Sequence, residues 1–334
     1  METSGRKFGV SRNSRRGAGA QAIDGGTAGG LGSRYEQGCA MGYYHHEILV
    51  RPARARPDLW RLGLGLLLAG AVYQALVYTS YGLAALAMGD AAATAVFHGV
   101  FTSTLTSTET LLLLYSFGFL AVGIFVAARL LQDRRPFGLT GPFFRAYADF
   151  AQVTAALGVL YAGLGVLLPT DVEVYRNVTF GTWLTLLPLA LPALLVQTSA
   201  EELLFRGYLQ QQLAARFNRR VVWMGVPAAL FAVGHYMPET AGENAKYLAL
   251  WAGLFSLCAA DLTARTGTLG AAIGLHFANN VLAVLVTSLP GAASGLSLYT
   301  YAFSASSEAM QPLIAIDFAV IGLSWLTCRV ALRV

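Results

Sequence analysis

The chain has 334 residues, of which 55% are hydrophobic and 12% charged, and its mean hydropathy is +0.54. Soluble globular chains carry about 25% charged residues, and here the deficit runs along the whole chain after residue 60, which excludes one signal peptide or one anchor as its cause. The net charge of +5 is not gathered on a soluble domain with interleaved aromatic residues, which argues against a nucleic-acid partner. The composition predicts an all-α polytopic membrane protein.

Residues 1–50 differ in composition from the rest of the chain. They are rich in Gly, Ser and Arg and poor in large aliphatic residues, which predicts a disordered basic tail. They contain no long apolar run of the kind that a secretory signal needs. Residues 51–334 then form a transmembrane helical domain. Met41 precedes a more ordinary beginning, MGYYHHEILV, and is kept as an alternative start of translation.

Eight apolar runs follow in chain order. A helix needs about 20 apolar residues to span the hydrocarbon core of a bilayer, which is about 30 Å thick. The approximate runs are residues 62–88, 111–131, 150–168, 183–205, 221–237, 247–260, 269–289 and 312–328. The sixth run is short for a span. We predict about eight transmembrane helices.

Basic residues indicate the orientation of these helices. If the amino terminus is cytoplasmic, fourteen arginines flank the cytoplasmic ends of the helices: Arg51, Arg54, Arg56, Arg61, Arg129, Arg134, Arg135, Arg145, Arg216, Arg219, Arg220, Arg265, Arg329 and Arg333. The opposite flanks hold only Arg176 and Lys246. This asymmetry predicts that both termini are cytoplasmic. It also fits basic residues next to anionic lipid at the inner face of a cell's inner (plasma) membrane.

The fourth run ends in SAEELLFRG, which places three ionisable residues in an otherwise apolar stretch. Such groups inside spanning helices are expensive and are functional-site hypotheses by default. On a helix Glu202 and Arg206 share a face and can pair, while Glu201 is turned about 100° away from Glu202. We expect one carboxylate to be compensated and the other to remain available.

The depth of these residues constrains the helix that carries them. If the helix began with its apolar run, Glu201 would lie about 27 Å along it, close to the inner face. His235, late in the fifth run, would lie nearer the outer half. The two meet if the helix begins near Pro188 or Pro192 and continues to about Ala215, as the helical spacing of its apolar residues favours. The resulting site would be a cavity open to the cytoplasm.

Two further polar motifs lie in predicted membrane helices. FAVGHYMPE places Phe231 and His235 at i and i+4, and GLHFANN places His276 and Asn280 at the same spacing, with Asn279 beside them. Each motif alone is as well explained by structural hydrogen bonds between helices. Three such motifs on three helices are better explained together, by convergence on one polar site within the membrane.

These three motifs, EExxxR, FxxxH and HxxxN in this order, resemble those of the CPBP family of intramembrane proteases. This is the CAAX protease and bacteriocin-processing family, also called Abi. The resemblance covers about residues 180–290 and implies a CAAX-protease-like helical bundle. It also implies an endopeptidase that hydrolyses a peptide bond of a membrane-associated peptide or protein. Prenylated substrates belong to the eukaryotic members, and nothing in this sequence selects a substrate.

The resemblance also assigns roles within a glutamate-dependent hydrolysis. Amide hydrolysis needs a base to activate water and donors that hold the developing oxyanion. The family pattern makes Glu201 the base and gives His235 the task of orienting the water. His276 and Asn280 correspond to the oxyanion donors. The orienting and structural residues are Glu202, Arg206 and Phe231.

A metal-dependent alternative stays open at this point. One glutamate and two histidines are possible zinc ligands, but they lack the HExxH spacing that puts two imidazoles on one helix face. The resemblance implies chemistry without a cofactor, with zinc as the less favoured alternative.

Two other functions are compatible with intramembrane carboxylates and histidines. One is a proton-coupled transporter, although inverted repeats of broken helices are not visible in the sequence. The other is a non-catalytic immunity or scaffold protein of the same family. Asp317, in the eighth run, is predicted to lie at the interface or to snorkel towards it.

Overall fold

The computed structural model of the chain describes residues 42–102, 106–167, 172–291 and 293–334. Over these ranges the chain is a helical bundle. Its longer helices are α1 (Leu59–Met88), α2 (Asp90–Thr102), α3 (Ser107–Gln132), α4 (Phe143–Leu167), α5 (Phe180–Arg216), α6 (Val221–Gly234), α7 (Pro238–Thr266), α8 (Gly270–Val286) and α9 (Met310–Leu332).

The helices confirm the predicted class, an all-α polytopic membrane protein. Six of the described helices are long and apolar enough to cross a membrane: α1, α3, α4, α5, α7 and α9. The fifth and seventh predicted spans are shorter apolar helices, α6 and α8. Helix α2 was not predicted as an element. It follows α1 after Gly89, whose φ of 89° favours glycine at the turn between them.

Two predicted boundaries are wrong. The sixth run, predicted as short, is part of the 29-residue helix α7, because the less apolar residues before it are also helical. Helix α5 begins at Phe180, before both prolines, where the side chain of Thr179 caps it by accepting a hydrogen bond from the backbone of Thr182 at 3.2 Å. Pro188 lies inside this helix, since transmembrane helices tolerate proline when neighbours satisfy the freed carbonyl groups. The predicted extension past Arg206 is confirmed.

The predicted tail also ends earlier than residue 50. Residues 1–41 lie outside the described residues, but residues 44–55 form short helical turns. Leu49 and Val50 are buried in these turns, and Val50 packs in a cluster with Ala215. We call residues 43–55 the amino-terminal brace. Large apolar and aromatic side chains, which are sparse in the preceding residues, let this segment pack against the bundle.

The brace contacts α7 through a hydrogen bond and α6 through an aromatic contact. The hydroxyl of Tyr43 donates to Asp261 Oδ1 at 2.5 Å, and burial raises the pKa of Tyr43 to about 12. The centre of the His46 ring lies 4.8 Å from the centre of the Trp223 ring. Burial lowers the pKa of His46 to about 3, so the buried ring is neutral at pH 7. As pH falls below about 6.5, His46 is protonated in the unfolded chain but stays neutral in the folded brace. Acid therefore favours unfolding of the brace.

The two ends of the bundle differ in structure. The brace end also holds the turn Pro136–Thr140, whose Thr140 carbonyl accepts a hydrogen bond from the backbone of Leu269 at 3.0 Å. The other end carries a three-stranded sheet of β1 (Val174–Arg176), β2 (Thr287–Ser288) and β3 (Tyr299–Tyr301). The central strand β3 is antiparallel to β1 and parallel to β2. The site described below lies between these ends.

The brace gives a stability prediction that separates it from the residues before it. Deleting residues 1–40 should leave the melting temperature of the purified protein unchanged, because these residues precede the packed segment. Deleting residues 1–56 removes Leu49 and Val50 from a core, and burial of each such side chain contributes about 1.5–3 kcal/mol. Thermal unfolding in detergent measures both variants. Equal melting temperatures for the two deletions would contradict the role of the brace.

Candidate active site

The predicted site residues of the first and third motifs come together between α5 and α8. Glu201 and Glu202 lie near the middle of α5, and His276 and Asn280 lie on α8. Directly after the two glutamates, α5 changes to π-helical hydrogen bonding over Leu203–Gln210. Such π-helical turns are rare and are frequent at functional sites.

Glu202 forms a fully buried ion pair. Arg206 Nη1 donates to Glu202 Oε1 at 2.9 Å, and both side chains are 0% exposed. Arg206 Nη2 donates to the backbone carbonyl of Ser256 on α7 at 3.0 Å. Further hydrogen bonds help to offset the burial of such a pair, although Glu202 Oε2 and Arg206 Nε have no partner among the described residues. The predicted pairing of Glu202 with Arg206 is present, and the carbonyl of Ser256 is a partner that the sequence did not indicate.

Phe231 covers the guanidinium of Arg206. The guanidinium carbon lies 5.3 Å from the centre of the Phe231 ring, and Phe231 is itself buried. A cation over an aromatic face is stabilised by the ring quadrupole. Phe205 packs edge-on against Phe231 with ring centres 4.9 Å apart. The FxxxH motif thus places an aromatic ring over the buried arginine.

His276 joins the two carboxylates. Its Nδ1 lies 2.8 Å from Glu202 Oε1, and its Nε2 lies 3.6 Å from Glu201 Oε2. Because Glu202 is paired with Arg206 and acts as an acceptor, Nδ1 must carry the hydrogen, an assignment made from the partners. Phe255 packs edge-on to the imidazole with ring centres 5.0 Å apart. His276 is therefore fixed with Nε2 facing Glu201.

Glu201 is held by an amide chain that reaches α8. Gln197 Nε2 donates to Glu201 Oε1 at 2.9 Å, and Gln197 Oε1 accepts from Asn280 Nδ2 at 2.9 Å. Asn279 Nδ2 donates to Asn280 Oδ1 at 3.1 Å. Gln197 was missed in the sequence. Its signal was a large polar residue one helical turn before Glu201 in an apolar run.

The second oxygen of Glu201 differs from the first. Glu201 Oε2 is buried and has no hydrogen-bond partner among the residues that the structure describes. The Glu201 side chain is 15% exposed, whereas that of Glu202 is 0% exposed. Two carboxylates adjacent in sequence therefore have different surroundings. Oε2 of Glu202 also has no partner among the described residues, so what distinguishes Glu201 is the greater exposure of its side chain.

His235 lies at the rim of this site. It follows the last residue of α6, is exposed, and stacks on Phe231 with ring centres 4.3 Å apart. Its Nδ1 donates to the Phe231 carbonyl at 2.8 Å. A carbonyl oxygen only accepts hydrogen bonds, so the other ring nitrogen of His235 is left for another partner. Phe231 lies between His235 and His276, its ring centre 6.2 Å from that of His276.

The depths of Glu201 and His235 agree once both are measured from the turn that joins α5 to α6. Glu201 precedes Arg216, the last residue of α5, by about 22 Å of helix. His235 follows Val221, the first residue of α6, by about 21 Å. The extension of α5 to Arg216 thus brings the two residues to one level, as the sequence required.

Asp317 does not belong to this network. It lies on α9 with an exposed side chain, and its backbone carbonyl accepts a hydrogen bond from Trp251 Nε1 at 3.1 Å.

The donor atoms of the site suit a metal poorly. Glu202 Oε1 is engaged by Arg206 and by His276 Nδ1, and the donors left are Glu201, Nε2 of His276 and the second ring nitrogen of His235. Catalytic zinc takes three protein ligands. Across the described parts of the chain, no three His, Cys, Asp or Glu side chains are grouped to hold a metal ion.

Comparison with known families agrees with this geometry. Residues 182–282 match the family model "Type II CAAX prenyl endopeptidase Rce1-like". This segment is similar to the Rce1-like CAAX protease family. The match confirms the resemblance read from the three motifs and contains Gln197, both glutamates, Arg206, both site histidines and Asn280. At the level of the family, this similarity supports an intramembrane protease.

One curated protein is also similar to this chain. The uncharacterized protein YyaK of Bacillus subtilis (strain 168) is 32% identical over 121 residues, which are 34% of this chain and 39% of the relative. The match spans about two fifths of the length of that relative. No solved structure matches the chain.

The buried pair gives a stability prediction. Arg206→Ala leaves Glu202 buried without its charge partner, which costs about 3–5 kcal/mol, so the melting temperature should fall sharply. Arg216→Ala is the control, because Arg216 is an exposed arginine at the end of the same helix, and surface changes stay within about 0.5 kcal/mol. Thermal unfolding in detergent measures both. Equal effects of the two substitutions would show that the pair does not stabilise the fold.

Proposed function

We propose that this chain is an intramembrane endopeptidase that hydrolyses a peptide bond of a membrane-associated peptide or protein, with Glu201 activating the water. The observation that carries the proposal is the connected network of Glu201, Gln197, Asn280, His276 and Glu202, which leaves one oxygen of Glu201 without a partner. The family of residues 182–282 supports the same reaction class.

The first step is attack by water. Glu201 Oε2 accepts a hydrogen bond from the water and takes its proton as the water oxygen bonds to the carbonyl carbon of the substrate. General base catalysis of this kind contributes about 10²–10⁴-fold in rate. The carbonyl π electrons move to the carbonyl oxygen, which becomes the oxyanion of a tetrahedral intermediate.

Two side chains on α8 are proposed to hold that oxyanion. Asn280 Nδ2 uses one hydrogen on Gln197 and keeps a second hydrogen that can be donated. His276 donates from Nε2 when its ring carries both protons, because Nδ1–H is engaged with Glu202. His276 Nε2 and Glu201 Oε2 lie 3.6 Å apart. Nε2 can therefore bind the oxyanion while Oε2 binds the attacking oxygen on the same carbon. Donors fixed before the reaction need no reorganisation during it.

The second step breaks the peptide bond. The oxyanion re-forms the carbonyl, the C–N bond breaks, and Glu201 returns its proton to the leaving nitrogen. The products are a carboxylic acid and an amine. His235 supports the positioning of the water, since its second ring nitrogen is free at the rim while Nδ1–H is held by the Phe231 carbonyl.

The reaction is proposed to need no cofactor. The support is the placement of the possible donors: among the described residues no three His, Cys, Asp or Glu side chains are grouped to hold one metal ion, whereas catalytic zinc takes three protein ligands. A zinc-dependent reaction remains the alternative, and the experiment on Glu201 must distinguish it from the glutamate mechanism.

The proposed setting is a cell's inner (plasma) membrane, with both termini cytoplasmic and a membrane-associated peptide or protein as partner. Arginines concentrate at the brace end of the bundle, where Arg54 pairs with Glu47 within the brace and Arg134 donates to the Leu49 carbonyl of the brace. The positive-inside rule assigns such an end to the cytoplasm.

Glu201→Gln tests the base. It keeps the shape of the side chain and removes the proton acceptor, so turnover should fall by about 10²-fold or more, while the melting temperature stays unchanged. Turnover is measured with purified protein in lipid vesicles, on the membrane-anchored peptide that the native protein cleaves fastest. Glu308→Gln, at an exposed position, is the matched control. Full activity with Gln at 201 would end the glutamate mechanism, and activity lost to a chelator and regained with zinc would favour a metal.

Reporter fusions test the orientation. A reporter that works only outside the cytoplasm should be active when it is fused after Glu308, in the connection before α9. A reporter that works only in the cytoplasm should be active when it is fused to the carboxyl terminus. The reversed pattern would overturn the proposed topology.

A further inference from the structure

Gln197 is a buried amide in an apolar helix. It is 7% exposed, and no charged residue lies between residues 183 and 200 of α5. An amide moved from water into apolar surroundings is costly unless its groups are hydrogen-bonded. Both the oxygen and the nitrogen of Gln197 are bonded here, to Asn280 and Glu201. These bonds to two site residues suggest more than a packing role.

The direction of the hydrogen bonds is fixed by Glu201. Amide oxygens and nitrogens are assigned from their partners, and an ionised carboxylate offers only acceptors. Gln197 must therefore turn its nitrogen to Glu201 and its oxygen to α8. That oxygen in turn requires a donor, which orients Asn280 with Nδ2 towards Gln197 and Oδ1 towards Asn279. The reversed chain would set the Gln197 oxygen against the carboxylate.

We propose that Gln197 is a positioning residue for the hydrolysis: it binds Oε1 of Glu201, which leaves Oε2 as the reacting oxygen, and it orients Asn280 as a donor. This rests on the proposed function of Glu201. Gln197 itself touches neither water nor substrate in this role. It links the base on α5 to the oxyanion donor on α8, so that both are set by one amide.

The role predicts a change in pH dependence and not only in rate. The hydrogen bond from Gln197 is made to the ionised carboxylate of Glu201, and hydrogen bonding to a charged form favours that form. Without it, the acid limb of the kcat/KM–pH profile should move to higher pH. A purely structural role would lower activity by one factor at every pH.

Gln197→Met is the first variant, because methionine has a similar length and no hydrogen-bonding amide. We expect kcat to fall by about 10- to 100-fold, as for loss of a hydrogen bond to a charged group, with KM nearly unchanged and the acid limb moved to higher pH. Thr198→Val is the matched control. It removes the buried hydroxyl of the next residue, which bonds only within α5, and it should keep the native profile.

Gln197→Glu is the second variant, and it keeps the test possible if Gln197→Met does not fold. It keeps an oxygen acceptor for Asn280 but places a second carboxyl group against Glu201, so the acid limb should move further than in Gln197→Met. Native kcat and a native pH profile in either folded variant, with Glu201→Gln inactive, would overturn the role of Gln197 and leave the proposed function standing. An active Glu201→Gln would instead overturn the proposed function.

Discussion

The buried contact between Glu202 and Arg206 is the interaction on which the rest of the site depends. Both side chains are fully buried, and hydrogen bonds to further groups help to offset the removal of two charges from water. The Ser256 carbonyl accepts from the guanidinium, and His276 Nδ1 donates to the carboxylate. These buried hydrogen bonds connect α7 and α8 to α5.

This arrangement sets the surroundings of the groups that we propose to react. Since Glu202 orients Nδ1 of His276, the opposite nitrogen of the ring faces Glu201. Packing of Phe255 against the imidazole and of Phe231 over Arg206 restricts both side chains further. The aromatic residues therefore hold the polar groups in one geometry, which catalysis by pre-oriented donors requires.

The sequence predicted the contacts that lie within one helix and few of those between helices. The pairing of Glu202 with Arg206 followed from i, i+4 spacing, and the extension of α5 to Arg216 followed from the need to bring Glu201 and His235 to one depth. The contact of His276 with Glu202 depends on how α8 packs against α5, which spacing along one chain does not specify. The Ser256 carbonyl carries no side-chain signal at all.

The amino-terminal brace was missed for a different reason. Composition over residues 1–50 is dominated by Gly, Ser and Arg, which hid the apolar group around Leu49 and Val50. Gln197 was missed because an uncharged amide draws less notice than a carboxylate, although it lies at the same i, i+4 spacing from Glu201. Neutral polar residues one turn from an intramembrane carboxylate are therefore worth the same attention as its charged neighbours.

The two glutamates lie on one helix in different surroundings, which suit the different roles proposed for them. Glu202 is stabilised by a full positive charge, so its carboxylate is held as a fixed acceptor for His276. Glu201 is stabilised at Oε1 by a neutral amide and lies near His276 at Oε2. Pairs of titratable groups whose surroundings differ in this way take different chemical roles. In the proposed mechanism the neutral partner allows Glu201 to accept a proton, which a direct salt bridge to arginine would oppose.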